Sequence, residues 1–137
     1  MKSGDGLTYP VKKSDDEWRR ELGDERYRLL RKKGTEPPFR NAYWDNHRKG
    51  KYTCGGCGNE LFSSEAKYDS GTGWPSFWEP IGDSAVETGE DRSLGMVRVE
   101  VRCARCGGHL GHVFEDGPPP TKLRYCMNSG AMDFVEE

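Results

Sequence analysis

Leu94-Gly95-Met96-Val97-Arg98-Val99-Glu100-Val101-Arg102-Cys103-Ala104-Arg105-Cys106-Gly107 joins two patterns in one stretch. Val97, Val99 and Val101 alternate with Arg98, Glu100 and Arg102, the period of a half-buried β-strand. The strand then runs into C-x-x-C-G, a tight turn that can face two thiols toward one point.

The same turn occurs upstream as Cys54-Gly55-Gly56-Cys57-Gly58. Two such turns complete a tetrahedron, with four thiolate sulfurs at about 2.3 Å from a zinc ion. The glycine after each second cysteine lets the backbone fold back with amides directed at sulfur. Cys54, Cys57, Cys103 and Cys106 are therefore candidate ligands of one Zn2+ ion, against a different metal such as iron, a pair of disulfides, or four unrelated buried thiols. A reducing compartment disfavours the disulfides. With four protein ligands no position remains for water, so the metal is expected to be structural.

Outward from this pair, short strands are expected over 51–54, 85–88, 109–114, 123–128 and 132–135, separated by turns such as Asp116-Gly117-Pro118-Pro119-Pro120. The body over 51–135 reads as mainly antiparallel β. Residues 14–33 read as two short helices carrying Trp18, Leu22, Tyr27, Leu29 and Leu30, broken at Gly23-Asp24. Ser14 with Glu17 forms a capping box at the start, and Gly34 is a stop. Residues 35–50, with Pro37, Pro38, Asn41 and Asn46, read as a loop that wraps onto the body through Phe39, Tyr43 and Trp44.

The 137 residues fit one domain over 1–137. Hydrophobic residues are 33% and charged residues 32%, a lean core that calls for a further constraint such as a metal. A net charge of -2 offers no broad attraction to nucleic acid or an anionic membrane. No apolar run approaches the roughly 20 residues that cross a bilayer, and residues 1–10 lack the apolar stretch of an export signal. The expectation is a soluble, cytoplasmic chain.

A fifth cysteine stands apart in Leu123-Arg124-Tyr125-Cys126-Met127-Asn128-Ser129. On a strand, Arg124, Cys126 and Asn128 share one face and Leu123, Tyr125 and Met127 the other. A thiol between a permanent cation and an amide is suited to a pKa below the usual value of about 8.5; the alternative is a free core cysteine packed as a small hydrophobe. His109 and His112 are candidate proton donors near Cys126, or else two satisfied histidines packed beside Phe114. Positions i and i+3 of a regular strand face opposite ways, so both reach one pocket only if Gly111 permits a bulge. In Gly71-Thr72-Gly73-Trp74-Pro75-Ser76-Phe77-Trp78, an exposed indole would receive a methyl group beside a polarised sulfur. Phe77 and Trp78 read as core.

Together these segments resemble the B-type methionine sulfoxide reductases over residues 18–134, through Gly34-Thr35-Glu36 with Pro38-Phe39, the two C-x-x-C turns, Gly73-Trp74-Pro75-Ser76-Phe77, His109-Leu110-Gly111-His112-Val113-Phe114 and Arg124-Tyr125-Cys126-Met127-Asn128-Ser129. The resemblance implies two antiparallel sheets with short N-terminal helices packed outside, and a four-cysteine structural zinc site on the side away from the pocket. It implies reduction of the R epimer of methionine sulfoxide in oxidised proteins, a protein-repair reaction of the oxidative stress response. Cys126 would attack the sulfoxide sulfur as thiolate and be left as a sulfenic acid. His109, His112 and Asn128 would bind or protonate the departing oxygen. Trp74 would hold the methyl group, with Arg124 also at the substrate.

Regeneration by thioredoxin is implied too. Many relatives carry a resolving cysteine where this chain has Thr72, so direct reduction by thioredoxin or another thiol donor is expected, without an internal disulfide, in a monomer. Smaller departures are Met127 for isoleucine, Gly130 for alanine, and Lys122 at a turn position often filled by glycine. Two other readings remain: a zinc-ribbon binding module for protein or nucleic acid, and a cysteine hydrolase using His109 or His112 as base. Acidity argues against nucleic acid, and a hydrolase needs no reductant.

Overall fold

The structure, a computed structural model, describes residues 9–137. Most of the segment read as lacking an export signal, residues 1–8, lies outside the described residues.

Two α-helices come first among the described residues, α1 over Asp15–Leu22 and α2 over Asp24–Arg31, with the expected capping box: the Ser14 side chain accepts from the Glu17 amide and the Glu17 carboxylate accepts from the Ser14 amide. Gly23 separates them at φ 82°, a left-handed value that a side chain would strain. α2 ends as Lys33 turns left-handed at φ 56° and the Gly34 amide donates back to the Arg28 carbonyl at 2.9 Å. Trp18, Leu29 and Leu30 are the buried residues of the pair.

Among the described residues nine strands follow: β1 (Gly50–Cys54), β2 (Glu60–Ser63), β3 (Lys67–Tyr68), β4 (Ser76–Phe77), β5 (Val86–Asp91), β6 (Arg98–Cys103), β7 (His109–Phe114), β8 (Arg124–Met127) and β9 (Met132–Glu136). They form two wholly antiparallel sheets, a small one ordered β2-β1-β9 and a larger one ordered β3-β4-β8-β7-β6-β5. The mainly β class with two antiparallel sheets and short N-terminal helices is therefore as the sequence indicates. Three strands, β2, β3 and β4, go beyond the expected set. β3 and β4 are two residues each, too short for a period of two to register.

The core lies where the sheets meet. Tyr52 and Phe62 of the small sheet contact Phe77 of the large one, Phe62 stacking at 4.3 Å between centroids and Tyr52 edge-on at 5.1 Å. Pairs of this kind contribute roughly 0.5–1.5 kcal/mol beyond the area they bury. Leu61, Leu110, Met127 and Met132 fill around them, all fully buried. Tyr43 joins from the 35–50 loop against Tyr52 at 5.5 Å, but Phe39 turns outward, 53% exposed, and lies edge-on to Trp44.

β6 departs from the expected alternation. Val101 and Cys103 are buried, but Val97 and Val99 are 64% and 43% exposed, and Glu100, read as outward, is 1% exposed. Both faces of this strand are in use: the core reaches only to Val101, and on the other face the Glu100 carboxylate meets His109. Lys122 adopts φ 61°, the left-handed value that suits the glycine expected there by resemblance. Among the described residues no helix is long and apolar enough to cross a membrane.

Candidate functional site

Each C-x-x-C-G turn closes the same way. The Gly58 amide donates to the Cys54 carbonyl and the Gly107 amide to the Cys103 carbonyl, both at 2.8 Å, with both glycines left-handed at φ 82° and 74°. The amides aimed at sulfur are those of Gly56, 3.3 Å from Cys54 Sγ, of Arg105 toward Cys103 and of Asn59 toward Cys57, rather than those of the closing glycines. All four sulfurs lie within 4.8 Å of one another, with Cys54 to Cys106 at 3.7 Å and Cys57 to Cys103 at 3.5 Å. Sulfurs of a tetrahedral site with bonds of about 2.3 Å are about 3.8 Å apart, so the set fits a metal ion. The helices hang on these turns: Arg31 donates to the Cys106 carbonyl at 2.9 Å, and Arg26 bridges the carbonyls of Gly55 and Gly130.

None of these cysteines lines the cavity of about 250 Å3 on the large sheet, which is walled by Thr72, Trp74, His109, His112, Phe114, Arg124, Cys126, Asn128 and their neighbours. Antiparallel register builds it. Cys126 on β8 stands between Ser76 of β4 and His112 of β7.

A bulge brings in the second histidine. The β6–β7 register slips between Val101 and Arg102, so that Gly111 pairs with Val101 but His109 with Arg102, and both rings end 5.3 Å apart at the cavity. Gly111 is needed for close approach: a Cβ there would lie 2.1 Å from the Cys126 carbonyl oxygen and 2.9 Å from Met127 Cα. Backbone cannot yield as a side chain does. Gly111→Ala is expected to cost at least about 3 kcal/mol, read as a lowered melting temperature together with loss of the cavity.

Each imidazole is tied to a buried carboxylate. His109 Nδ1 meets Glu100 Oε2 at 2.7 Å and His112 Nε2 meets Asp91 Oδ2 at 2.7 Å. Burial raises the Glu100 carboxyl, but His109, Lys33 and Arg102 together hold it below the usual range. The Asp91 carboxyl is held far below its usual range by His112 and by the Ser93 amide. For His112, burial outweighs Asp91 and lowers the imidazole.

Cys126 does not match the expected depression of its thiol. Burial pushes it up, and Arg124 and a hydrogen bond with Thr72 only partly counter this. Burial is the main cause; Arg124 lowers the thiol by less, and its guanidinium is also engaged by Asp116 at 2.9 and 3.1 Å. The resting thiol is therefore neutral near pH 7. Alkylation of Cys126 by iodoacetamide, followed by mass spectrometry, is expected to rise with pH and to inflect above the range of an ordinary cysteine.

Asn128 lines the cavity with its amide already engaged: Nδ2 donates to the Gly34 carbonyl at 2.9 Å and Oδ1 accepts from the Glu36 amide at 3.2 Å. Trp74 Nε1 donates to the Glu36 carbonyl at 2.9 Å, while the Glu36 carboxylate accepts from the Ser129 and Gly130 amides at 2.5 and 2.7 Å. Residues 34–36 thus strap the indole to the end of β8.

Residues 22–136 match the SelR domain model. A peptide methionine sulfoxide reductase MsrB from Leptospira interrogans is 54% identical over 131 residues, covering 96% of this chain and all of that protein. Proteins of the same name from Thiobacillus denitrificans and Acinetobacter baumannii are each 57% identical over 122 residues, covering 89% of this chain and 92% and 88% of theirs. The chain belongs to the methionine sulfoxide reductase B family.

For a member of the methionine sulfoxide reductase B family, sequence reading singled out six cavity residues, and the fold gathers all of them: Trp74, His109, His112, Arg124, Cys126 and Asn128. It missed Asp91, Glu100 and Glu36. Asp91 and Glu100 sit on neighbouring strands and are buried through the histidines, a pairing that depends on register. The available signal was two histidines in want of partners.

Proposed function

We propose that this protein reduces the R epimer of methionine sulfoxide in peptides and proteins, with Cys126 as nucleophile. The observation that carries the reading is a reactive-type residue, Cys126, set in a cavity opposite two carboxylate-tied imidazoles and beside the Trp74 ring. The indole suits the methyl group, whose partial positive charge and neighbouring sulfur favour a π face. The epimer preference is supported by the family resemblance.

In the reaction the Cys126 sulfur attacks the sulfoxide sulfur while a proton reaches the departing oxygen. A protein thiol and a dialkyl sulfoxide become a protein sulfenic acid and a dialkyl sulfide, so the cysteine sulfur is oxidised by two electrons and the methionine sulfur reduced by two. Burial raises the Cys126 thiol, so the proton it gives up on attack needs a nearby acceptor, and the cavity offers the two imidazoles. His112, adjacent to Cys126 across the β7–β8 ladder and kept neutral at rest by burial, has a ring nitrogen free to pass that proton on to the sulfoxide oxygen. Two thiols of thioredoxin or another donor then return the sulfenic acid to thiol, releasing water and a disulfide. Thr72 stands where a resolving cysteine would otherwise act, hydrogen-bonded to Ser70 at 2.8 Å, so we assign regeneration to an external thiol.

The ion held by Cys54, Cys57, Cys103 and Cys106 would be one zinc, chosen by four thiolates and a tetrahedral frame. With all four positions filled by thiolates, it would hold the two turns together and take no part in the chemistry. We place the protein in protein repair, as a cytoplasmic monomer.

The test is consumption of separate R and S epimers of a blocked methionine sulfoxide with dithiothreitol, followed by chromatography. Loss of the R epimer alone is expected. Consumption of neither by folded protein would return the zinc-ribbon binding module to favour, and turnover without reductant would favour a hydrolase.

A further inference from the structure

We propose that Glu100 and Asp91 are positioning residues that fix opposite tautomers, so that His109 presents Nε2 and His112 presents Nδ1 to the sulfoxide cavity. The inference rests on the reaction proposed above for its kinetic consequence, although the tautomers can be read without it.

The two pairs are chemically alike and geometrically reversed. Glu100 takes His109 at Nδ1, and Asp91 takes His112 at Nε2, each at 2.7 Å. A carboxylate accepts only, so each contacted nitrogen carries the proton in the neutral ring and the other nitrogen is left bare. Both carboxylates are buried, at 1% and 4% exposure, and each is fixed from elsewhere. Lys33 and Arg102 stand 3.5 Å from Glu100 Oε1, while the Ser93 amide and Arg98 engage Asp91 at 2.9 and 3.5 Å. Neither carboxylate lines the cavity.

The bulge explains the reversal. Displacing His109 by one residue relative to a regular strand turns both rings to one cavity, but their carboxylates arrive from different strands, Glu100 from β6 and Asp91 from β5. One ring is gripped at Nδ1 and the other at Nε2. In a free histidine side chain the neutral ring carries its proton mostly on Nε2, so Glu100 holds His109 in the disfavoured form, whereas Asp91 reinforces the favoured form of His112. Glu100 therefore has the larger task.

Long-range proton–nitrogen spectra of 15N-labelled protein at alkaline pH read the tautomers directly, with exposed His47 as internal reference and His109→Gln and His112→Gln for assignment. The expected spectrum has Nδ1 protonated in His109 and Nε2 protonated in His112. In Glu100→Gln, His109 shifts toward the Nε2-protonated form and kcat for the R epimer falls about 10- to 100-fold with KM within about twofold. Glu100→Asp recovers part of the loss, and Asp91→Asn loses less than Glu100→Gln.

A bare Nδ1 on His109 in the wild type, or Glu100→Gln with unchanged kcat, overturns the proposal. If Glu100→Gln fails to fold, the wild-type spectrum still decides the tautomers. Wild-type protein with the expected spectrum but no sulfoxide turnover would sink the proposed reaction and leave the tautomer assignment standing.

Discussion

Alanine at Cys103 is expected to leave a chain without a cooperative thermal transition. Cys103 ends β6 with no exposure, and its sulfur belongs to a cluster on which the helices also depend through Arg31 and Arg26. Structural zinc held by thiolates contributes on the order of 10–16 kcal/mol, as large as the roughly 5–15 kcal/mol by which a domain of this kind exceeds its unfolded state. Removing one ligand also leaves buried thiolates without full compensation. Circular dichroism melts with metal analysis check this: one zinc per chain, a sharp transition in the wild type, and its loss both in Cys103→Ala and after exhaustive chelation. Equal melting temperatures with and without metal would refute the structural role.

Cys126→Ser is expected to do the reverse, losing the reaction and keeping the fold. Sulfur supplies both the nucleophile and the two electrons, and a serine hydroxyl cannot take the departing oxygen as a sulfenic acid does. Turnover should fall by at least about 10^4, to the background of dithiothreitol alone. The melting temperature should move by only a few degrees, because serine is close in size to cysteine and its hydroxyl can bond with Thr72, already a partner of this position. Activity above a hundredth of wild type would take the nucleophile away from Cys126.

The contrast between these two outcomes follows from how the chain divides its cysteines, and that division was legible before any coordinates. Spacing alone separated Cys54, Cys57, Cys103 and Cys106 from Cys126, because C-x-x-C-G is a local pattern with a local geometric meaning. The helix start at Ser14 and the strand at His109–Phe114 were legible for the same reason. Long-range register was not. Glu100 looked like the solvent side of an alternating strand, and nothing near it in sequence reveals that His109, nine residues on, will cover it. The bulge at Gly111 could be posed as a condition, but its cause, the Cys126 carbonyl 2.1 Å from where a Cβ would stand, belongs to a strand fifteen residues away. The raised thiol of Cys126 was not legible because its main cause is burial, which the flanking Arg124 and Asn128 do not reveal; Asp116 across the turn, which engages Arg124, adds to it.

Single turnover without reductant tests the central claim most directly. Protein mixed with excess R-epimer substrate, then trapped with dimedone and digested for mass spectrometry, should release one methionine per chain, carry the adduct on Cys126, and show no disulfide. Release of no methionine, or a disulfide joining Cys126 to any of Cys54, Cys57, Cys103 or Cys106, would contradict it.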